Sequence, residues 1–457
     1  MKRILSALLI PALGLALASC ERSEATAAKG LSARSATAPN PAMSAPDQTA
    51  WQLFVQATSP VAGTVAFQTW ASDADTFSPN AAWPTGKEAT NGLDLRPALI
   101  PNVAHRGPLA AVNPAGGKPA TANRVGGAGG KAAQAATPAA AGAAPGPNGE
   151  PGSLPPAEEV RRNQAAFNYI VQNNLNKKSG LQAAFKKAMT INFPVDSIEL
   201  KTNWLPLDQL QKFYPKAVAS QIKLSDVFFI APDANGKQHA LIAMHVISKQ
   251  VPNWTWATFE HQLNPGRCDF IGCRDTFGAQ QAYVAPVTQG QANQGTTYAN
   301  CTKTPAVQAM MKAAGVAAVF ANYCLKGSQT DFIDNNGFAV RLANSVTEWG
   351  FVQQGSCMTC HGLANIQADG TATTGGGFDN AGNAHIGAID PTFYWAIGGV
   401  QPGGGTSVPI VAQTNPGQPV PGMTRLAISA DFVWSIPFCF YDDTVPNPVA
   451  NPNCSSK

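Results

Sequence analysis

Apolar and polar residues alternate from Ser197 to Trp204. Ile198, Leu200, Thr202 and Trp204 fall on one side, and Glu199, Lys201 and Asn203 on the other. A period of two predicts a half-buried strand. Val227 to Ile230 is a short apolar run that closes at the turn signal Asp233 to Gly236. Ala240 to Ile247 and Trp254 to Phe259 read as further strands, joined through Pro252 and Asn253, and together predict an antiparallel meander. Helical spacing flanks this region. Val160, Phe167, Val171 and Leu175 predict a helix over Glu158 to Leu175, and Leu181 to Met189 predicts a second. Thr304 and Pro305 form a helix start, as N-cap and first helical residue, for a helix running to about Tyr323. Ser345 and Glu348 fit a capping box that opens a helix towards residue 357. Pro437 interrupts the late apolar run Phe432 to Phe440, so no long terminal helix is expected.

Between these elements the pattern lapses. Residues 21–46 are rich in Ala, Ser, Thr and Pro, and 106–156 in Ala, Gly and Pro, which cannot bury a core. The first is expected to be a tether and the second a flexible insertion. Trp51, Leu53, Phe54, Val55, Phe67, Trp70 and Phe77 lie between them and are expected to pack on the later core. The expected architecture is α+β: a mixed helical and antiparallel-sheet domain over 47–339, followed by a C-terminal segment over 340–457.

The N-terminus changes the picture from fold to location. Met1, Lys2 and Arg3 form a basic start, Ile4 to Ala18 is apolar but short for a bilayer span, and Leu17, Ala18, Ser19 and Cys20 look like a lipobox. Residues 1–19 then read as a lipoprotein signal peptide and Cys20 as the lipidated residue. The expected location is the cell envelope, lipid-anchored on the periplasmic side, with Glu21 favouring the outer membrane. The 31 basic and 27 acidic residues give a net charge of +4 and form no dense basic run, so no nucleic-acid partner is expected.

Export makes sense of nine cysteines. With Cys20 given to lipid and Cys357 and Cys360 set aside, Cys268, Cys273, Cys301, Cys324, Cys439 and Cys454 remain. An even remainder in an oxidising compartment predicts three disulfides. Fifteen connectivities are open, nearest-neighbour pairing among them.

Cys357 and Cys360, followed by His361, form the spacing Cys-x-x-Cys-His. Two thiols on one helical turn can add across two haem vinyl groups, and the adjoining imidazole can reach the iron. A thioredoxin-type pair needs a different strand-to-helix setting, and zinc needs a second ligand pair at metal-binding spacing, which the sequence lacks nearby. One motif predicts one covalent haem c. Met423, 62 residues after His361, is a candidate sixth ligand, with His385 as the alternative in the same segment; His245 and His261 lie in the strand region. Trp254, Trp256, Phe259, Glu260 and His261 read as an aromatic core cluster with a surface Glu and His. A Glu260/His261 pair for proton chemistry is the competing reading.

The attachment motif resembles that of c-type cytochromes in general, which makes 340–457 the expected haem-bearing, cytochrome c-like segment. Beyond it, Trp254 to His261 and Asn344 to Phe351 are similar to stretches in a loose group of bacterial cytochrome c family proteins without assigned activity, a likeness covering much of 47–440. That resemblance implies an exported, haem-binding, electron-transferring protein with a redox partner protein in the envelope, and implies no substrate. Small class I cytochromes c supply a Met at about the Met423 separation, on a loop after a Pro. The chain departs from them in placing its motif late and in lacking a clear helix after Met423. A haem enzyme with an open or displaceable sixth ligand, and a haem sensor, are the competing functional expectations.

Overall fold

The computed structural model describes residues 40–85, 92–96, 157–210, 214, 223–286, 296–348, 351–372, 385–389, 393–397, 423–451 and 454. The signal peptide, Cys20 and the insertion at 106–156 lie outside the described residues, as does most of the tether. Its last residues depart from expectation: Pro41–Ser44 is helical, and Pro46 opens helix α1, Pro46–Thr58. Proline suits a first helical turn, whose N–H groups lack partners in any case.

One antiparallel sheet organises the rest. Its strands are β1 (Ala71–Ser72), β2 (Ala157–Arg162), β3 (Ile198–Pro206), β4 (Ile230–Pro232), β5 (Gln238–Ser248), β6 (Thr255–His261) and β7 (Tyr323–Gln329). The order is β7-β6-β5-β3-β2-β1, with β4 beside β5 on the edge that β5 also gives to β6. The predicted meander is present and extends to both sides.

The Glu158 to Leu175 helix is corrected. Its first part is β2, and helix α2 begins only at Gln164, running to Gln172. Asn163 is the start signal, since its side chain accepts a hydrogen bond from the Ala166 amide. β2 shows no apolar alternation because its charges are buried in pairs: Arg162 with Asp73 and Glu199, and Arg161 with Glu159. The next helix, α3, spans Lys178–Lys186, close to expectation. Helix α4, Pro305–Ala313, carries the Thr304 cap but stops short of Tyr323, which begins β7. Gly315, at φ 66°, supplies the left-handed turn just after it.

β3 is not half-buried but covered on both faces. On one face Leu200, Trp204, Met244, Val246, Ala257, Phe259 and Leu325 meet Trp51 and Phe54 of α1 and Val307 and Met311 of α4. Phe54 stacks on Phe259 with ring centres 4.3 Å apart. On the other, Ile247 and Trp256 share a core with Ala166 and Ile170 of α2, Leu181 and Ala184 of α3, and Leu342, Cys357, Met358 and Val433. The described residues from Pro41 on form one compact unit, so this core runs across position 340. Three disulfides join Cys268 to Cys273, Cys301 to Cys324 and Cys439 to Cys454, with Cα separations of 5.0, 5.8 and 5.4 Å. This is the nearest-neighbour set. Among the described residues no helix is long and apolar enough to cross a membrane.

Candidate functional site

Successive strand residues face opposite ways, so register alone assigns the sheet face beneath the motif. Three rows cross it: Arg162, Glu199, Ile247, Trp256 and Gln329; Val160, Lys201, His245, Thr258 and Gly327; and Glu158, Asn203, Ala243, Glu260 and Cys324. Residues 344–348 and 356–361 lie over these rows. Asn344 Nδ2 donates to Thr258 Oγ1 at 2.9 Å, and the Thr347 hydroxyl donates to Asn203 Oδ1 at 2.6 Å. Glu348 Oε1 sits 3.4 Å from His245 Nε2. Gln329 grips the motif itself, donating to Ser356 Oγ at 3.0 Å and accepting from the Met358 amide at 3.2 Å.

The helix predicted from a Ser345 capping box is corrected. Ser345 instead donates its amide and hydroxyl to Glu260. Asn344 organises the turn: its Oδ1 accepts from the amides of Val346 and Thr347, while Glu348 Oε2 accepts from the Asn344 amide. The motif forms its own short helix, α5, Cys357–Gly362, with Ser356 as N-cap.

Within α5 the two thiols share one turn, and neither is in a disulfide. Burial, with Glu348 nearby, pushes Cys357 well above the ordinary thiol range and Cys360 up to about 11. Reactive redox pairs have depressed thiols, so a thioredoxin-type role is disfavoured. Among the described residues no three His, Cys, Asp or Glu side chains gather as metal ligands, so a zinc set is not assembled.

His361 is half-buried, and its Nδ1 lies 2.8 Å from the Phe432 carbonyl. A carbonyl can only accept, so Nδ1 carries the proton and Nε2 keeps its lone pair. Burial lowers the imidazole to about 3, so the ring is neutral. A neutral ring held through one nitrogen, with the other available, is the form in which histidine binds a metal. On the chemistry of this donor set, Cys357, Cys360 and His361 fit a covalent haem. The Trp256 ring centre is 4.7 Å from that of His361. Other bonds hold α5 from the C-terminal side. The Trp434 indole donates to the Cys360 carbonyl at 3.0 Å, the Tyr394 hydroxyl to the Gly362 carbonyl at 2.6 Å, and the Thr359 hydroxyl to the Gly387 carbonyl at 2.7 Å. A Cβ at Gly362 would displace the end of the Ile389 side chain and press on Phe432.

The other candidates separate. His261 is fully buried and bonded at both nitrogens, Nε2 to the Val227 carbonyl and Nδ1 to the Leu263 amide, which leaves neither for iron. Glu260, expected at the surface with His261, is also fully buried. It faces Ser345 and has Lys326 Nζ 3.4 Å away, while His261, the next residue along the strand, stacks on Phe228. The two do not form a pair. His385 precedes Gly387, whose carbonyl touches α5, by two residues. Met423 begins strand Met423–Arg425, paired with Trp395–Ile397 so that Met423 faces Ile397 across the ladder.

Lys201, Gln329 and Glu348 were not legible as site residues. Lys201 read as the solvent side of an alternating strand, yet it is 3.2 Å from Glu158 under the motif. Glu348 read as a cap residue. Burial alone would raise its carboxyl, but His245, Lys201 and the Asn344 amide outweigh burial and bring it to about 2. No protein-family model, curated protein or solved structure matches this chain.

Proposed function

We propose that this chain is an exported mono-haem c-type cytochrome lipoprotein that passes single electrons between partners in the cell envelope. The observation that carries the reading is the state of the motif. Six other cysteines are in disulfides, Cys357 and Cys360 are not, and His361 is fixed through Nδ1 with Nε2 left to coordinate. Bound haem supplies a one-electron iron couple. The chain's own residues hold the attachment helix, keep the imidazole neutral and oriented, and lay an aromatic wall of Trp256 and Phe432 beside it. Met423 is proposed as the sixth ligand, with His385 as its alternative, and Cys20 as the lipid anchor. An enzymatic reading has less support, because its acid–base pair, Glu260 and His261, is split across the sheet.

The test is haem-dependent peroxidase staining after denaturing electrophoresis, in cells that can mature c-type cytochromes. The wild-type band is expected to stain, and Cys357→Ala/Cys360→Ala is expected to lose the stain. An unstained wild-type band ends the haem reading. The same preparation reads the other assignments. A weak red charge-transfer band in the ferric spectrum that vanishes in Met423→Ala marks a sulfur ligand. Fatty-acid label lost in Cys20→Ser marks the anchor, and a label unchanged by that substitution excludes it.

A further inference from the structure

We propose that Lys249 and Asp431 are positioning residues for His361, their ion pair holding the Phe432 carbonyl where it fixes the imidazole with Nε2 free for iron. The proposal rests on the haem reading for its functional meaning, but its geometry stands on its own. Asp431 and Phe432 are consecutive non-glycine residues with left-handed backbones, at φ 50° and 70°. Such backbones are uncommon for residues other than glycine and persist only where the surroundings hold them. Here the strained pair turns the Phe432 carbonyl towards His361 Nδ1, 2.8 Å away.

The Val433 amide closes the turn on the Ala430 carbonyl at 3.1 Å and the Asp431 amide donates to Ser429 Oγ at 3.1 Å, while the Asp431 carboxylate anchors the turn to the rest of the fold. It is buried, and its two oxygens serve two elements: Oδ1 takes Lys249 Nζ at 2.5 Å, and Oδ2 takes the Phe193 amide at 2.8 Å. Lys249 is also buried. Its ammonium donates again to the Pro252 carbonyl at 2.8 Å and lies over the Trp254 ring. It directly follows β5 and its amide bonds the Ser197 carbonyl, so it is part of the turn between β5 and β6. The pair therefore ties the carbonyl that orients His361 to the central sheet. The same sheet orients α5 through Gln329, so ligand and acceptor share one frame. A buried ion pair adds little net stability, but removing one partner leaves an uncompensated charge. Its use here is directional. A carbonyl bonded to the ring N–H also raises the basicity of the coordinating nitrogen, which lowers the iron potential.

The test uses the full chain as isolated, with Asp431→Asn, Lys249→Gln and the double variant. Asparagine tolerates the left-handed backbone and can still accept from Phe193, so Asp431→Asn removes mainly the charge. The readouts are proton exchange at the His361 Nδ1–H by nitrogen-15 labelling, and the midpoint potential. Each single variant is expected to speed exchange at least tenfold and raise the potential, while the double variant, with no unpaired charge, recovers part of both. Val307→Ala, in the core on the far face, supplies a control destabilised without touching this turn. Should the single variants move exchange and potential no more than Val307→Ala does, the clamp is overturned. Haem staining judges the haem reading separately. Ring-proton exchange decides the clamp with or without haem on the chain.

Discussion

His261 shows how much one satisfied side chain is worth. The ring is fully buried, donates from Nε2 to the Val227 carbonyl and accepts at Nδ1 from the Leu263 amide. Burial lowers it to about 4, against an ordinary value of 6.5. The unfolded chain therefore binds a proton that the folded chain refuses between those values. Its contribution is fully present above pH 6.5 and is lost as pH falls towards 4. From pH 7 to pH 5 the loss from this residue is about 2 kcal/mol. His261→Gln should lower stability at pH 7 yet flatten that part of the pH profile in denaturant titrations. A profile as steep as that of wild type would mean that His261 is not the buried neutral group described.

Among the elements, α5 is too short to be stable by propensity, and its six residues depend on their ends. Ser356 Oγ accepts from the Thr359 amide at 3.4 Å and from Gln329, so the cap is also the link to β7. Ser356→Ala should cost about 1 kcal/mol in chemical unfolding, and Ser356→Thr should restore most of it. Equal stability of wild type and the alanine variant would show that packing by Met358 and Trp434 suffices without the cap. β2 teaches the complementary point. Four of its six residues are charged, and it is a strand because each charge finds a partner: Glu158 and Arg162 across the sheet, Arg162 also in the N-terminal segment, and Glu159 with Arg161 along the strand.

Over the whole molecule, the sheet is the middle layer; one disulfide ties β7 to Cys301, and the other two staple segments outside the sheet. Their stabilisation should follow loop length in the unfolded chain. Cys301–Cys324, 23 residues apart, should contribute about 3 kcal/mol, and Cys268–Cys273, 5 apart, about 2 kcal/mol. Paired alanine substitutions compared by denaturant midpoint check the ranking, with Cys439–Cys454 in between at a separation of 15. A reversed order would place the effect in the folded state rather than in chain entropy.

Sequence by itself determined the features that local chemistry writes into short spacings. Cys-x-x-Cys-His marked the candidate site, alternation marked β3, apolar and aromatic runs marked β5 and β6, Thr304 and Pro305 marked the start of α4, and the even cysteine remainder marked three bridges. Tertiary structure decided which polar residues are inside. Lys201, Lys249 and Asp431 carry no local signal, because a buried charge reads as a surface charge until its partner is known, and those partners lie 43 residues away for Lys201 with Glu158 and 182 for Lys249 with Asp431. The split of Glu260 from His261 needed only the strand period once β6 was recognised. The acceptor for His361 needed the fold itself, since the left-handed turn at Asp431 and Phe432, closed locally by Val433 on Ala430, is anchored by Phe193 and Lys249 from distant parts of the chain.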